Sequence, residues 1–389
     1  MLKLIYYLIR FIFYFFALSG FAFAESTSNS ACSRIPDALQ AATQLYGLSK
    51  KQPISCRSLP AKEFKEAVIQ MLSRQYPGNE LMLEEKSYKM LGLIPEKYSY
   101  ASCLLKTTAQ NTSAFYDHAK SEIIVPDFEE VATSTLVHEI VHALQDQHFE
   151  LKDYANLYYQ STDLALAAAA LAEGEAARVE ELFLASSHTK LDNVTNEIKV
   201  TTEEECHFPT QVEDLFTFGY QYGKKFIDFT LRTKGKDALE NIWKNRAIYS
   251  SAQFLGYKKY PIEVFRQQAE LTNNYRKAIS QRHPFVVYND ALGQFGLITL
   301  FKHGTSHKIA VSTAVNLIGD FLFLENHNSN YKLYWYTLWP DQAAAEKFKL
   351  TFGEYFRTRE NVTVSCNSLT LKDLTNVLFQ CQVEIEDLG

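Results

Sequence analysis

One segment of the 389-residue chain constrains its fold more than any other, the stretch from Val137 to Phe149. Its apolar residues recur three and four positions apart, which predicts an amphipathic helix with one buried face. His138 and His142 lie four residues apart within it. Both imidazoles therefore project from the same side of the helix, one turn apart.

The residues before this helix predict how the chain enters it. Ser113–Tyr116 and Ser121–Val125 are short β-prone runs around a turn, which predicts a hairpin. Asp127 followed three residues later by Glu130 matches a capping box, so we expect the helix to begin there. It should run to about Phe149.

The string His138-Glu-Ile-Val-His142 within a helix is a metal-site pattern in which Glu139 acts as general base. A catalytic zinc ion needs three protein ligands and one open position for water. No His-x-x-Gly-x-x-His follows His142, so the third ligand is not predicted to be a histidine of that kind. The alternative interpretation is a solvated helix face that carries these residues by chance.

A second helix, predicted over Asp163–Ser186, offers the missing carboxylate. Its centre, Ala165–Ala172, is almost all alanine. Such a face lets another helix approach closely, although alanine is also simply a good helix former. Glu173 continues the alanine row, which predicts it as the third ligand. Glu175 points to the opposite side, and its spacing to Arg178 suits a surface ion pair.

Three further residues are candidates for supporting roles. Gln145 shares a helix face with His138 and either supports a ligand, contacts substrate or is an ordinary polar residue. Asp146 lies four residues after His142 and could accept a hydrogen bond from it, although such partners usually come from another segment. Tyr220 is the candidate for polarising the scissile carbonyl, but one of 23 tyrosines can equally be a core residue.

These motifs resemble those of known proteins. HExxH with a distal Glu in an E-G-x-A setting is similar to the gluzincin pattern of thermolysin-like zinc peptidases. More closely, His138–Phe149 with Glu173-Gly-Glu-Ala176 resembles largely uncharacterised bacterial exported proteins that carry HE-x-x-HALQDQHF and A-L-x-EGEA. The resemblance is specific over Phe115–Glu180. It implies a zinc-dependent peptidase with Ser121–Val125 as the edge strand that meets substrate. That group often has His-Pro where this chain has Gly256-Tyr257.

The N-terminus has the form of an export signal. Its only charges, Lys3 and Arg10, precede an apolar run that ends in a small-x-small site at Ala24. This predicts a signal peptide, residues 1–24, and a secreted or periplasmic protein. The alternative is an uncleaved anchor over Leu4–Ala24, and a membrane is a partner only in that case.

Six cysteines follow the predicted cleavage site, and none forms a C-x-x-C pair. In an oxidising compartment they are expected to form disulfides, for which 15 connectivities are possible. The close pairs are preferred, which leaves one long-range bridge; buried free thiols are the alternative. The preferred pairs are Cys32–Cys56, Cys366–Cys381 and Cys103–Cys206.

The sequence as a whole predicts an α+β fold with a mainly helical, zincin-like catalytic domain and a smaller C-terminal α/β portion. We expect an N-terminal helical region over 25–105, the catalytic core over 106–280 and the C-terminal region over 281–389. Further helices are predicted at Phe216–Lys234, Ala238–Arg246, 261–280 and Ala343–Phe356, and strands at Asp320–Leu324, Tyr331–Trp339, Val362–Cys366 and Leu378–Ile385.

Together these features predict a zinc-dependent hydrolase, most of all a peptidase, with Zn²⁺ on His138, His142 and Glu173. Its partner is a peptide or protein substrate. A net charge of -6 without a basic stripe argues against nucleic acid. Two alternatives stay open, a binding protein that kept the fold without turnover, and a hydrolase of another bond such as an ester or a cell-wall amide.

Overall fold

The computed structural model describes residues 31–151, 154, 160–186, 206–256, 258–369 and 377–387. The predicted signal peptide, residues 1–24, lies outside the described residues, as does Tyr257. Within these ranges no helix combines the length and apolar character needed to cross a bilayer.

The described chain is α+β, as the sequence predicts. A 3-10 turn, Ala31–Arg34, precedes the first helix, and a π-helical turn, Gly219–Gly223, joins α7 to α8. The helices are α1 Ile35–Tyr46, α2 Ala61–Gln75, α3 Glu80–Met90, α4 Tyr100–Asn111, α5 Thr133–Phe149, α6 Thr162–Ser186, α7 Thr210–Phe218, α8 Lys224–Lys234, α9 Lys236–Lys244, α10 Ala252–Gly256, α11 Ile262–Ser280, α12 Gly293–Lys302, α13 His307–Ala314 and α14 Gln342–Tyr355. The strands are β1 Ser55–Leu59, β2 Phe115–Asp117, β3 Glu122–Pro126, β4 Val286–Asp290, β5 Gly319–His327, β6 Asn330–Trp339, β7 Val362–Leu369 and β8 Leu378–Glu386.

A three-stranded sheet with the order β1-β3-β2 precedes the histidine helix α5. The predicted hairpin is confirmed, because β2 and β3 pair antiparallel. The expectation that Ser121–Val125 forms an edge strand is wrong, since β1 pairs parallel to β3 on its other side. The consecutive apolar residues Ile123 to Val125 are fully buried, as in a strand covered on both faces. The edge next to α5 is β2.

Helix α5 begins at Thr133, later than the sequence predicts. The backbone N–H of Asp127 donates to the Leu59 carbonyl oxygen at 2.9 Å, which extends the pairing of β1 with β3. Asp127 is therefore held by the sheet, and Ala132 occupies the N-cap position without a side-chain cap. The capping-box prediction is wrong, whereas the predicted end at Phe149 is confirmed.

Helix α6 packs backbone against backbone on the π-helical turn, which confirms the close approach predicted from its alanines. A Cβ atom on Gly223 would lie 2.0 Å from the Ala170 carbonyl oxygen. One on Gly174 would lie 2.5 Å from the backbone carbonyl carbon of Gly223. Only glycine fits such contacts. The helix predicted over Phe216–Lys234 begins earlier, at Thr210, and consists of α7, the π-helical turn and α8.

The C-terminal part forms a five-stranded antiparallel sheet with the order β4-β5-β6-β8-β7. Its core includes Trp335 and Trp339, which are completely buried. The largest hydrophobic cluster combines residues from before 105, from 106–280 and from after 280, for example Leu91, Leu171 and Trp335. The domain boundaries at these positions stay predictions.

The described cysteines form three disulfides, in the predicted pairs. Cys32–Cys56 joins the first turn to β1, and Cys103–Cys206 closes the longest loop, with a sequence separation of 103. Cys366–Cys381 bridges a directly opposed pair of β7 and β8. Covalent links of this kind are typical of exported proteins.

Candidate metal centre

The side chains of His138, His142 and Glu173 converge on one point between α5 and α6. The two Nε2 atoms are 3.2 Å apart. Glu173 Oε2 lies 3.2 Å from His138 Nε2, and its Oε1 lies 3.5 Å from His142 Nε2. The structure thus brings together the three residues that the sequence predicts as ligands.

One ligand atom of each residue lies within 4.8 Å of the other two, a spacing that a small divalent cation can bridge. Ligand atoms about 2.1 Å from a tetrahedral zinc ion lie about 3.4 Å from one another. The distance between the two Nε2 atoms and the two contacts to Glu173, one to Oε2 and one to Oε1, lie near that value. Two imidazole nitrogens and one carboxylate are also the donor set of catalytic zinc sites that keep a position open for water. The residues present therefore fit a metal ion.

Each imidazole has a hydrogen-bond partner on the ring nitrogen that faces away from the triad. His138 Nδ1 lies 3.2 Å from Glu180 Oε2, and His142 Nδ1 lies 2.9 Å from Gln145 Oε1. Such partners orient metal-binding histidines and fix their tautomers. Gln145 thus supports His142, one of the roles the sequence left open. Asp146 does not, because it accepts from the Tyr116 hydroxyl at 2.7 Å.

Glu180 is a site residue that we did not predict. It lies seven positions after Glu173, two turns along the same face of α6, and this spacing could have identified it. Burial raises the pKa of its carboxyl group. The hydrogen bond to His138 and the charge of that imidazole together outweigh burial, so the pKa lies below its usual value. A carboxylate held ionised behind His138 raises the basicity of that ring.

Glu139 lies beside the triad rather than within it. The side chain is buried, and its Oε2 accepts a hydrogen bond of 2.8 Å from the backbone N–H of Tyr116 in β2. Burial raises the pKa of its carboxyl group, and the neighbouring imidazoles only partly offset that effect. A carboxylate with a raised pKa is suited to accept a proton during a reaction.

The charges at the triad attract one another strongly. Burial raises the pKa of the Glu173 carboxyl, but the two imidazoles outweigh it and hold that pKa well below its usual range. Burial lowers the pKa of His138. The carboxylates of Glu173 and Glu180 outweigh burial, so the pKa of His138 lies well above its usual value. The site therefore concentrates negative charge around the imidazoles, as a cation site requires.

Tyr220 lies next to the triad, where the π-helical turn places it. Its ring centroid is 6.4 Å from that of His138. π-Helical turns often occur at functional sites because they shift a side chain out of the regular helical register. The structure places Tyr220 beside His138, and its role in chemistry stays a prediction.

The predicted surface position of the Glu175 side chain is wrong. The expected surface pair with Arg178 is wrong, since Glu175 is only 5% exposed and Arg178 pairs with Asp228 at 3.0 Å. Glu175 accepts instead from Tyr46, Trp243 and Gln145. A second layer of helices covers this side of α6, and a spacing rule for exposed helices does not apply there.

No protein-family model and no curated protein matches the chain. Among solved structures, it is similar to a protein from Chloroflexus aurantiacus described as a candidate hydrolase with a novel fold. The two share 16% sequence identity, the match covers 61% of this chain and 93% of that chain, and the TM-score is 0.35. A likeness of this size says nothing about the site or its chemistry.

Proposed function

We propose that this protein is a zinc-dependent hydrolase, and more specifically a peptidase of the gluzincin type. The observation that carries the proposal is the triad of His138, His142 and Glu173 with Glu139 beside it. When bound, zinc lowers the pKa of a water molecule to about 7 and polarises a carbonyl group. The likeness of the two motifs to the gluzincin pattern supports the same activity.

Glu139 is the general base in this proposal. Its buried carboxylate takes a proton from the attacking water and afterwards delivers it to the leaving amine. The hydrogen bond from the Tyr116 backbone to Oε2 fixes the orientation of the carboxylate and leaves Oε1 for the proton. Tyr220, beside His138, donates a hydrogen bond to the oxygen on which negative charge develops.

The edge strand β2 is the proposed place for a peptide substrate. Among the described strands it pairs with β3 alone, and the backbone N–H of Tyr116 bonds it directly to Glu139. An extended peptide can add to such an edge through backbone hydrogen bonds. This assigns to β2 the role that the resemblance suggested for Ser121–Val125, which is a central strand.

We further propose that the protein works outside the cytoplasm, secreted or periplasmic, after removal of residues 1–24. Three disulfides in the described chain support this, because such bonds persist in oxidising compartments. Mass measurement of the exported protein should give Glu25 as the first residue. Retention of Met1–Ala24 would contradict the signal-peptide assignment.

The test is hydrolysis of a peptide library by purified mature protein, with and without a chelator. We expect cleavage that the chelator abolishes and that added zinc restores. Glu139→Gln should lose cleavage but keep zinc, because Glu139 is not a ligand. The matched control Glu130→Gln changes an exposed carboxylate just before α5 and should cleave normally. Near-normal turnover by Glu139→Gln contradicts the mechanism, and zinc binding without peptide cleavage favours a binding protein or another hydrolysable bond.

A further inference from the structure

The second acid of Glu173-Gly-Glu-Ala176 takes no part in the proposed chemistry, yet it is buried. Glu175 Oε2 accepts hydrogen bonds from the Tyr46 hydroxyl at 2.5 Å and from the Trp243 indole N–H at 3.0 Å. The Gln145 amide donates to the same oxygen at 3.2 Å. These three donors come from separate helices and are neutral. A buried carboxylate is costly to the fold, so its presence needs a structural account.

Gln145 is the link from this carboxylate to the metal centre. It is completely buried, and its Nε2 faces two acceptors, the Ala172 carbonyl oxygen at 3.0 Å and Glu175. The Ala172 carbonyl oxygen can only accept, and an amide carries protons at its nitrogen end only. The nitrogen end must therefore face Ala172 and Glu175, and Oε1 must face His142.

This orientation determines which nitrogen of His142 carries a proton. Gln145 Oε1 can only accept, so the His142 nitrogen 2.9 Å away, Nδ1, must donate. A neutral imidazole has one protonated nitrogen. Nε2 of His142 is therefore left with its lone pair, and it is the atom that points at Glu173 and His138.

We propose that Gln145 and Glu175 are positioning residues that fix the metal-binding tautomer of His142, with Glu175 acting through the Gln145 amide. The inference rests on the proposed zinc site and deepens it. It also gives the two histidines different supports. His138 contacts a carboxylate, Glu180, directly, whereas His142 contacts a neutral amide that a carboxylate holds in place.

The test is a zinc competition titration of the full mature chain and its variants. Gln145→Leu removes the acceptor of His142 and should weaken zinc binding by about 10- to 100-fold. Glu175→Gln should cause a smaller loss, because the Ala172 carbonyl still orients the amide. The double variant should bind zinc no more weakly than Gln145→Leu alone, since Glu175 acts through Gln145.

A spectroscopic readout separates positioning from a general effect on packing. In zinc-loaded protein labelled with ¹⁵N-histidine, the Nδ1 proton of His142 should give a ¹H–¹⁵N signal protected from exchange with water. Gln145→Leu should lose that protection. Circular dichroism shows whether this variant folds. If it does not, Glu175→Gln provides the test, with a weaker zinc affinity and faster exchange of the His142 Nδ1 proton expected.

Asp146→Asn is the matched control, one residue further along α5 and bonded to Tyr116 instead of His142. It should keep both the zinc affinity and the His142 signal. Wild-type affinity in Gln145→Leu, or an equal loss in Asp146→Asn, overturns the inference. A further loss in the double variant overturns the relay through Gln145. Absence of zinc binding by the wild-type chain contradicts the proposed function, and this inference with it.

Discussion

Two groups of carboxylates lie on or beside helix α6, and they differ in what surrounds them. At its beginning, Asp163 accepts from the backbone and hydroxyl of Ser251, and Asp290 accepts from the backbone of Thr162. Further along, Glu173 and Glu180 contact imidazole rings. Asp163 and Asp290 are buried, whereas the side chains of Glu173 and Glu180 are 24% and 20% exposed. Only the second group has partners that can become cations.

The difference appears in the direction of the pKa shifts. Burial raises the pKa of Asp290 to about 6, because its donors are neutral and only partly offset the loss of solvent. At Glu173 burial acts in the same direction, but the imidazoles reverse it and the pKa falls. The partners of each carboxylate therefore distinguish an anchor for the fold at one end of α6 from a cation site at its centre.

The largest expected effect separates these two roles. Glu173→Ala should weaken zinc binding by more than the roughly 10- to 100-fold that loss of an outer partner costs, because it leaves a site with two histidines. Asp290→Asn should bind zinc as the wild type does. Metal titration of the two variants measures the difference, and equal affinities would remove the distinction between the two groups.

The packing of α6 against the π-helical turn is the second target. Gly174→Ala places a methyl group against the Gly223 backbone and should lower the free energy of unfolding by about 3 kcal/mol. The control is Gly353→Ala, at an exposed helical position with free space, which should raise it by about 0.5–1 kcal/mol. Urea unfolding followed by circular dichroism compares them. A stabilising Gly174→Ala would contradict the described contact.

The pH dependence of stability tests the anchor at the beginning of α6. The pKa of Asp290 is raised in the folded state, so its contribution is fully present below the pKa of an unfolded Asp, 3.8, and is lost as the pH rises through about 6. Two pKa units correspond to at most about 3 kcal/mol. Asp290→Asn should therefore flatten the fall in unfolding free energy between pH 4 and 7. An unchanged slope in that variant would show that Asp290 titrates normally.

Asn can replace Asp290 with little rearrangement, so the wild type and Asp290→Asn differ mainly in the titratable group. Its oxygen can still accept from the Thr162 and Ala291 backbone N–H groups, and its amide can donate to the Thr162 hydroxyl. That hydroxyl is free to turn towards Tyr88, whose hydroxyl lies 3.0 Å away.

The smallest effect concerns the outer partner of His138. Glu180→Gln keeps an acceptor for Nδ1 but removes its charge, so zinc affinity should fall by about tenfold. Glu181→Gln, an exposed neighbour that pairs with Lys224, should leave it unchanged. Competition titration at one pH compares the two. An equal response would mean that only the general negative charge of α6 matters.

The triad was predictable because it depends on local rules. The spacing of His138 and His142 fixes their common face, and the alanine row fixes the direction of Glu173. Gln145 could be assigned to a face but not to a partner. The burial of Glu175 follows from Tyr46 and Trp243, which approach from distant segments.

The β-sheet next to the site shows the same limit. The hairpin of β2 and β3 is local and was predicted, whereas β1 joins β3 from 67 residues earlier, as the pairing of Ser55 with Glu122 shows. Nothing in the residues around Asp127 reveals that its N–H is bonded to Leu59. Long-range pairing therefore decided both the edge strand and the start of α5.

The central claim is a zinc ion held by His138, His142 and Glu173, and anomalous diffraction at the zinc edge tests it most directly. Crystals of the purified mature protein should show one anomalous peak about 2.1 Å from both Nε2 atoms and from a carboxylate oxygen of Glu173. Absence of a peak there after soaking with zinc, or a peak bound by other residues, would contradict the account.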